Sequence, residues 1–228
     1  MKVLIFDSSS LISMAMNGLY EEIVLLKKIF NGKFIIPKEV REEAIDKPLT
    51  IKKFELEALK LKELYDTKVL ESPSSLNIDE KEISVKAIEF MDKANATFHE
   101  RNTNIRIMDL GESACIALSG ILSQKGIENV MVIDERTARM LTEKPENLEK
   151  LLIKKLHTNI RADRNNFKGF RGYKIIRSAE LVYIAYKKGL INLKKGPILD
   201  ALLYAVKFKG CSISEEEIRE IEEIEDIK

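Results

Sequence analysis

The stretch Val3-Leu4-Ile5-Phe6-Asp7-Ser8-Ser9-Ser10 carries the first statement about the fold: four consecutive apolar residues end abruptly on an acid and three serines. Unbroken rather than alternating hydrophobicity suits a strand of a parallel sheet that is covered on both faces. Three more short runs share this character, namely Phe34–Ile36, Val130–Ile133 and Tyr173–Ile176. Helix-period patterns separate them. They run through Leu11–Phe30 and Lys38–Ile45, along the faces Phe54, Ala58, Leu61, Tyr65 and Ile83, Ala87, Met91, Ala94, and through Ala114, Ala117, Leu118, Ile121. Leu148–Leu156, Ser178–Lys188 and Pro197–Lys207 complete the set. Strands that alternate with helices predict an α/β fold, a three-layer α/β/α sandwich around a central parallel sheet.

Punctuation agrees with this reading. Pro37 directly follows a strand at the start of a helix, Gly189 and Gly210 stand where helices should end, and Ser214 with Glu217 forms a capping box for a last helix. Residues 37–129 separate the second and third strands, more chain than one crossover helix needs. The part at about 48–106 is therefore expected to be a helical insertion, with a hairpin near Ser72-Pro73-Ser74-Ser75. Residues 1–210 then form one domain that includes the insertion, and 211–228 form an acidic C-terminal helix bearing Ile218, Ile221 and Ile224. A length of 228 residues suits one well-buried core.

Composition narrows the function. With 45% hydrophobic and 33% charged residues the chain is ordinary globular material, and its heavy use of Lys, Glu and Ile without Trp resembles a heat-adapted proteome. A net charge of +1 excludes a global polycation, so any nucleic-acid surface is local. Cys115 and Cys211 lie far apart without zinc-type spacing, which points to a reduced, cytoplasmic setting. His99 and His157 are isolated, so a histidine-based metal site is not expected. The N-terminus does not read as a signal peptide, and no apolar stretch approaches a membrane span.

In an open parallel α/β sheet, ligands bind where the chain leaves the carboxyl ends of strands. The first strand exits through Asp7, and the third through Asp134-Glu135-Arg136. After the second, a helix carries Glu42 and Glu43; Glu43 borders the face of Val40 and Ala44 and can point toward the strand ends. Another helix opens Asp109-Leu110-Gly111-Glu112, with both acids on one side of its first turn. Each acid has a structural explanation: Asp7 and Asp134 as N-caps, Asp109 and Glu112 as partners of a helix dipole, Glu42 and Glu43 as solvated surface. Together these explanations require acids at three sheet exits by coincidence. Clustered like charges are costly unless a cation neutralises them. A hard oxygen set without His or Cys selects Mg²⁺ or Mn²⁺, whose chemistry suits phosphodiester hydrolysis.

These residues resemble the PIN-domain nucleases along nearly the whole chain, in a prokaryotic, archaeal subgroup with a Gly-Glu third motif. "VLIFDSSSLIS" is similar to the opening motif, "IIPKEVREEAI" to the second, "DLGESACIALSG" to the third and "VMVIDERTAR" to the fourth. The run from "GYKIIRSAELVYIAYKKGL" to "CSISEEEIREI" resembles the subgroup's tail. The resemblance implies Asp7, Glu43, Glu112 and Asp134 as catalytic acids and metal ligands, with Asp109 nearby and Ser9 as a supporting hydroxyl. It also implies an Mg²⁺- or Mn²⁺-dependent endoribonuclease, either the toxin of a toxin–antitoxin pair with an antitoxin protein as partner or an RNA-processing enzyme, and a homodimer as its assembly. The insertion, and the link from Arg139 to Tyr173, are longer than in a compact toxin of this kind.

For RNA, residues 157–177 hold six basic residues against one acid, a local charge of +5, with Phe167, Phe170 and Tyr173 interleaved. Arg161, Arg164, Lys168 and Arg171 could track phosphates while the rings stack on unpaired bases, at roughly 1–3 kcal/mol per base; the alternative is a loop anchored by its Phe residues. Arg136, beside the last acid, is a further candidate phosphate contact, and Arg139 either joins it or pairs with a carboxylate. Residues 214–228 carry eight acids against two bases and should repel RNA. Two other functions compete. A phosphatase using Asp7 as nucleophile would want an acid where Ser9 stands, and a non-catalytic RNA-binding or protein-interaction module could use the same fold.

Overall fold

The computed structural model describes residues 1–226. The opening apolar run forms β1 (Lys2–Phe6), and Asp7 caps α1 (Ser8–Met16) by accepting the Ser9 N–H. The helical pattern predicted through Leu11–Phe30 is broken: Gly18 takes a φ of +73°, and α2 (Tyr20–Ile29) starts beyond it. Left-handed backbone at that position ends α1, because only glycine adopts it without strain. The chain continues through β2 (Gly32–Ile35) into α3 (Lys38–Arg41), which widens into one π-helical turn over Glu42–Asp46, closed by the Lys47 N–H on the Glu42 carbonyl at 2.9 Å.

Helices α4 (Glu55–Asp66) and α5 (Glu80–Asn95) follow, joined through the Ser72–Ser75 region. The segment expected to be helical also contains strands: β3 (Phe98–Glu100) and β4 (Thr103–Asn104) pair antiparallel. Next come α6 (Leu110–Gln124), β5 (Glu128–Val132), α7 (Arg136–Glu143), α8 (Pro145–Leu156) and β6 (Ile160–Ala162). The last elements are β7 (Ile175–Ile176), α9 (Ser178–Lys187), α10 (Ile198–Phe208) and α11 (Glu215–Asp226). Residues 227 and 228, which close the acidic run, lie outside the described residues.

The main sheet is parallel, in the order β2-β1-β5-β7. Helix α6 packs on β1 and β5 with α5 against it, while α9 packs with β7, α1, α2 and α10. Helices thus flank a buried parallel sheet, as the unbroken apolar runs require, and the arrangement is consistent with a three-layer α/β/α fold. The connection from β2 to β5 crosses to the other side of β1, which places a topological switch at the carboxyl ends of β1 and β5.

The 157–177 segment, read either as an RNA-binding loop or as a loop anchored by its Phe residues, packs its Phe rings into the core. Strand β6 pairs with β3, and a 3₁₀ segment over Arg164–Phe170 follows. Phe167 packs on Phe98 with ring centroids 5.9 Å apart, and Phe170 on Phe90 at 5.3 Å, which also meets Tyr173 at 6.3 Å. Phe167 and Phe170 are buried, so base stacking on them is corrected to core packing. The C-terminal helix starts as its sequence predicts: the Ser214 N–H donates to Glu217 at 2.8 Å and the Glu217 N–H to the Ser214 hydroxyl at 3.1 Å.

Candidate active site

Asp7 sits at the switch. Its backbone N–H extends the β1 pairing to the Val132 carbonyl at 3.0 Å, which fixes the side chain just beyond the sheet. Oδ2 accepts from the Ser9 hydroxyl and from the Ser9 N–H at 3.0 Å. Oδ1 is buried and has no hydrogen-bond partner. Burial pushes this carboxyl up to about 7; the Ser9 hydrogen bonds pull it down, and the charges of Asp109 and Glu43 add to the rise. The predicted supporting role of the Ser9 hydroxyl has a second side, since the same oxygen accepts the Asp134 N–H at 3.1 Å and so links the exits of β1 and β5.

The π turn separates Glu42 from Glu43. Glu42 faces outward and approaches Lys38 at 3.6 Å. Glu43 turns inward, where Oε2 accepts from the Ser8 hydroxyl at 3.0 Å. It also lies against Gly111, where a Cβ would meet Glu43 Oε2 at 2.5 Å. Burial first, and then Asp109, raises the Glu43 carboxyl. Asp109 and Glu112 form a capping box on α6: the Glu112 N–H donates to Asp109 at 3.0 Å, and Glu112 accepts the Asp109 N–H at 3.2 Å. Glu112 is nonetheless buried, which pushes its carboxyl up to about 9, with further contributions from Asp109, Asp7 and Glu135. Asp7, Glu43, Asp109 and Glu112 therefore share one electrostatic neighbourhood.

Asp134, expected in the same set, has both carboxylate oxygens engaged by Ser178. Oδ1 accepts the Ser178 N–H at 2.7 Å and Oδ2 the Ser178 hydroxyl at 2.6 Å, so the carboxylate is seated on the first turn of α9. A helix N-terminus supplies unpaired N–H groups and a positive dipole end, and it has taken this acid as its partner. Burial raises the Asp134 carboxyl, the Ser178 hydroxyl and N–H together with Cys211 lower it, and the charge that adds to the rise is that of Glu180. The acid that approaches Glu112 is the next residue, Glu135, whose carboxylate also caps α7 by accepting the Ala138 N–H at 2.9 Å. Sequence reasoning missed Glu135 and Ser8. The strand exit offered both acids, but local sequence does not separate them, because Asp134 and Glu135 lie beyond the end of β5, where strand alternation no longer applies.

A cleft of about 390 Å³ opens on this side, lined by Asp109, Glu112 and Glu135 together with Arg106 and Lys155. A second, of about 450 Å³, is lined by Arg136, Arg139, Ser212 and Glu217. There Arg139 donates to the Ser212 carbonyl at 3.1 Å and pairs with the Glu143 carboxylate at 3.9 Å, the second of its two expected roles, and Arg136 is exposed. Of the predicted phosphate contacts in 157–177, Arg161 and Lys168 are exposed, Arg164 pairs with Glu149 at 3.0 Å, and Arg171 pairs with Glu146.

The donor chemistry at Asp7 suits a hard divalent cation: its acidic neighbours Asp109 and Glu43 are carboxylates, and one buried oxygen of Asp7 lacks a partner. Among the described residues, however, no three Asp, Glu, His or Cys side chains are grouped closely enough to hold a metal ion as they stand. Glu43 and Glu112 each spend one carboxylate oxygen on a hydrogen bond, from the Ser8 hydroxyl and from the Asp109 N–H respectively. No helix among the described residues is long and apolar enough to cross a membrane. No family model matches the chain, and neither a curated protein nor a solved structure matches it.

Proposed function

We propose that this chain is a PIN-like endoribonuclease that hydrolyses RNA phosphodiester bonds at the carboxylates around Asp7, with Mg²⁺ or Mn²⁺ as cofactor. The observation that carries the reading is Asp7 itself. It is a buried acid at the switch of a parallel sheet, with one unpartnered oxygen and with Glu43, Asp109 and Glu112 as its charged neighbours. Packing gains nothing from such an arrangement, and a buried unsatisfied carboxylate oxygen costs stability until something binds it. A divalent ion supplies charge neutralisation and a Lewis acid for the phosphoryl group and the attacking water. The chain's own contribution is to fix Asp7 through Ser9, to hold Glu43 through Ser8, and to keep Glu112 at the first turn of α6. Glu135 joins this set from the exit of β5, while Asp134 positions α9. Arg106 and Lys155 stand in the cleft as cations for the neighbouring phosphates. Both a toxin-like and an RNA-processing role accord with this chemistry.

One observation favours a second reading, a non-catalytic RNA-binding or protein-interaction module: the carboxylates do not converge on a single point. The deciding experiment incubates a pool of structured and single-stranded RNA with Mn²⁺, Mg²⁺ or EDTA, using wild type, Asp7→Asn, Glu135→Gln and Asp134→Asn. Cleavage should require metal and vanish in Asp7→Asn, and Glu135→Gln should lose more activity than Asp134→Asn. Absence of cutting by wild type, with RNA binding retained, selects the non-catalytic module.

A further inference from the structure

The three short strands outside the main sheet form a second, antiparallel sheet in the order β4-β3-β6, and its two faces differ in character. Phe98 and Ile160 are buried, and Phe98 meets the Phe167 ring, so the face that holds them points inward. Alternation along each strand then turns His99 and Arg161 outward. The register sets Asn104, His99 and Arg161 abreast in one row across the three strands, a row without an apolar residue. Around it lie Arg101 in the turn between β3 and β4, Arg106 just after β4, and Lys154 and Lys155 in the last turn of α8, which packs on β6. Arg101, Arg106, Lys154, Lys155 and Arg161 are exposed, and none of the five has a carboxylate partner among the described residues. The one acid within these strands, Glu100, lies on the inward face and accepts from the Thr158 hydroxyl. Asp163, just beyond β6, accepts the Asn165 N–H at 3.1 Å. Arg106 and Lys155 also line the cleft that contains Asp109, Glu112 and Glu135, so the basic surface continues into the candidate active site.

We propose that the outer face of this second sheet is a platform for the sugar-phosphate backbone of an RNA strand that leaves the cleft past Arg106 and Lys155. The choice of RNA as the occupant rests on the nuclease reading. The charge of the surface does not. Cations gathered on one face repel one another, and the fold gains nothing by leaving five of them without counter-charges. A polyanion supplies those charges and releases its own counterions in doing so. Contacts to a nucleic-acid backbone are made by Arg, Lys and Asn side chains, the kinds present here. A stable protein interface is instead centred on apolar and aromatic residues, which the row of Asn104, His99 and Arg161 lacks.

The test is the fluorescence anisotropy of a short fluorescein-labelled oligoribonucleotide of mixed sequence, titrated in EDTA so that binding is read without cleavage. Arg101→Gln/Arg161→Gln is compared with Lys62→Gln/Lys86→Gln, which removes the same charge from lysines of α4 and α5 that are paired with Asp66 and Glu82. The sheet variant should bind on the order of ten-fold more weakly, and its slope of log K against log salt should be shallower by about 1.4, as two lost single-strand phosphate contacts require. The α4–α5 variant should stay within about two-fold of wild type, its charges being screened. Arg101→Lys/Arg161→Lys keeps the charge and should keep most of the affinity. Equal losses in the two Gln pairs would assign the effect to net charge and overturn the proposal, as would unchanged affinity in the sheet variant or a Lys pair as weak as the Gln pair. Binding of poly-L-glutamate that depends on Arg101 and Arg161, with no binding of the RNA, overturns it in favour of an acidic protein partner. Cleavage with Mn²⁺ is measured separately. Binding lost in the sheet variant without cleavage by wild type would remove the nuclease reading and leave the platform standing. Cleavage by wild type with binding unmoved in the sheet variant would do the reverse.

Discussion

Asp7 and Glu112 bind their protons more tightly in the folded chain than in the unfolded one, at about 7 against 3.8 and about 9 against 4.5. For carboxyls shifted in this direction, the stability contribution is complete below the unfolded values and is lost as pH rises through the folded ones. In EDTA, the Tm is therefore expected to fall from pH 5 to pH 9. Asp7→Asn should flatten the lower part of that fall and raise the Tm at pH 8. A Tm that rises with pH across this window would contradict the account of the cluster. Gly111 gives a second residue-scale prediction. Alanine there improves helix propensity by about 1 kcal/mol, yet its Cβ would meet Glu43 Oε2 at 2.5 Å. Gly111→Ala should hold or raise the Tm while RNA cleavage falls, and full activity would mean that Glu43 does not need its present position. At this scale Asp7, Glu43, Asp109 and Glu112 were legible as residues at helix starts and strand exits. The choice between Asp134 and Glu135 was not, because it depends on where the first turn of α9 lands, more than forty residues away in sequence.

The 157–177 segment shows what an element's sequence leaves open. Basic residues interleaved with aromatics describe a stacking surface and an anchored strap equally well, and the partners that decide between them, Phe90 and Phe98, lie on α5 and β3. Phe170→Ala should cost about 3–5 kcal/mol, as expected for a fully buried aromatic, whereas exposed Lys168→Ala should stay within ~0.5 kcal/mol. Urea denaturation distinguishes them, and a near-neutral Phe170→Ala would return the ring to the surface. Helix ends were read more directly. Ser214 and Glu217 cap α11, and Gly189 and Gly210 follow α9 and α10 with positive φ, because caps and left-handed turns depend on neighbours in sequence.

Across the whole molecule, the segment after Gly210 is tied into the fold. Cys211, Ile213 and Ile218 are buried, and the Ser212 N–H donates to the Asp134 carbonyl at 3.1 Å. Arg177 donates to the Ser212 carbonyl at 3.1 Å and to Glu217 at 2.8 Å. Full burial of an Ile side chain is worth roughly 1.5–3 kcal/mol, so a chain ending at Gly210 should lose a large part of its stability. A thermal melt of residues 1–210 measures this, and an unchanged Tm would show the acidic helix to be an independent appendage. The sequence by itself determined the apolar strands, the helices between them, their caps, and the acids where the chain leaves the sheet, because each depends on residues a few positions apart. Only the tertiary structure decided that Asp134 is taken by α9, that Glu135 faces Glu112, and that one oxygen of Asp7 stays without a partner. Those outcomes depend on which helix end and which carbonyl arrive from distant parts of the chain, and burial then sets the cost of every charge left unpaired.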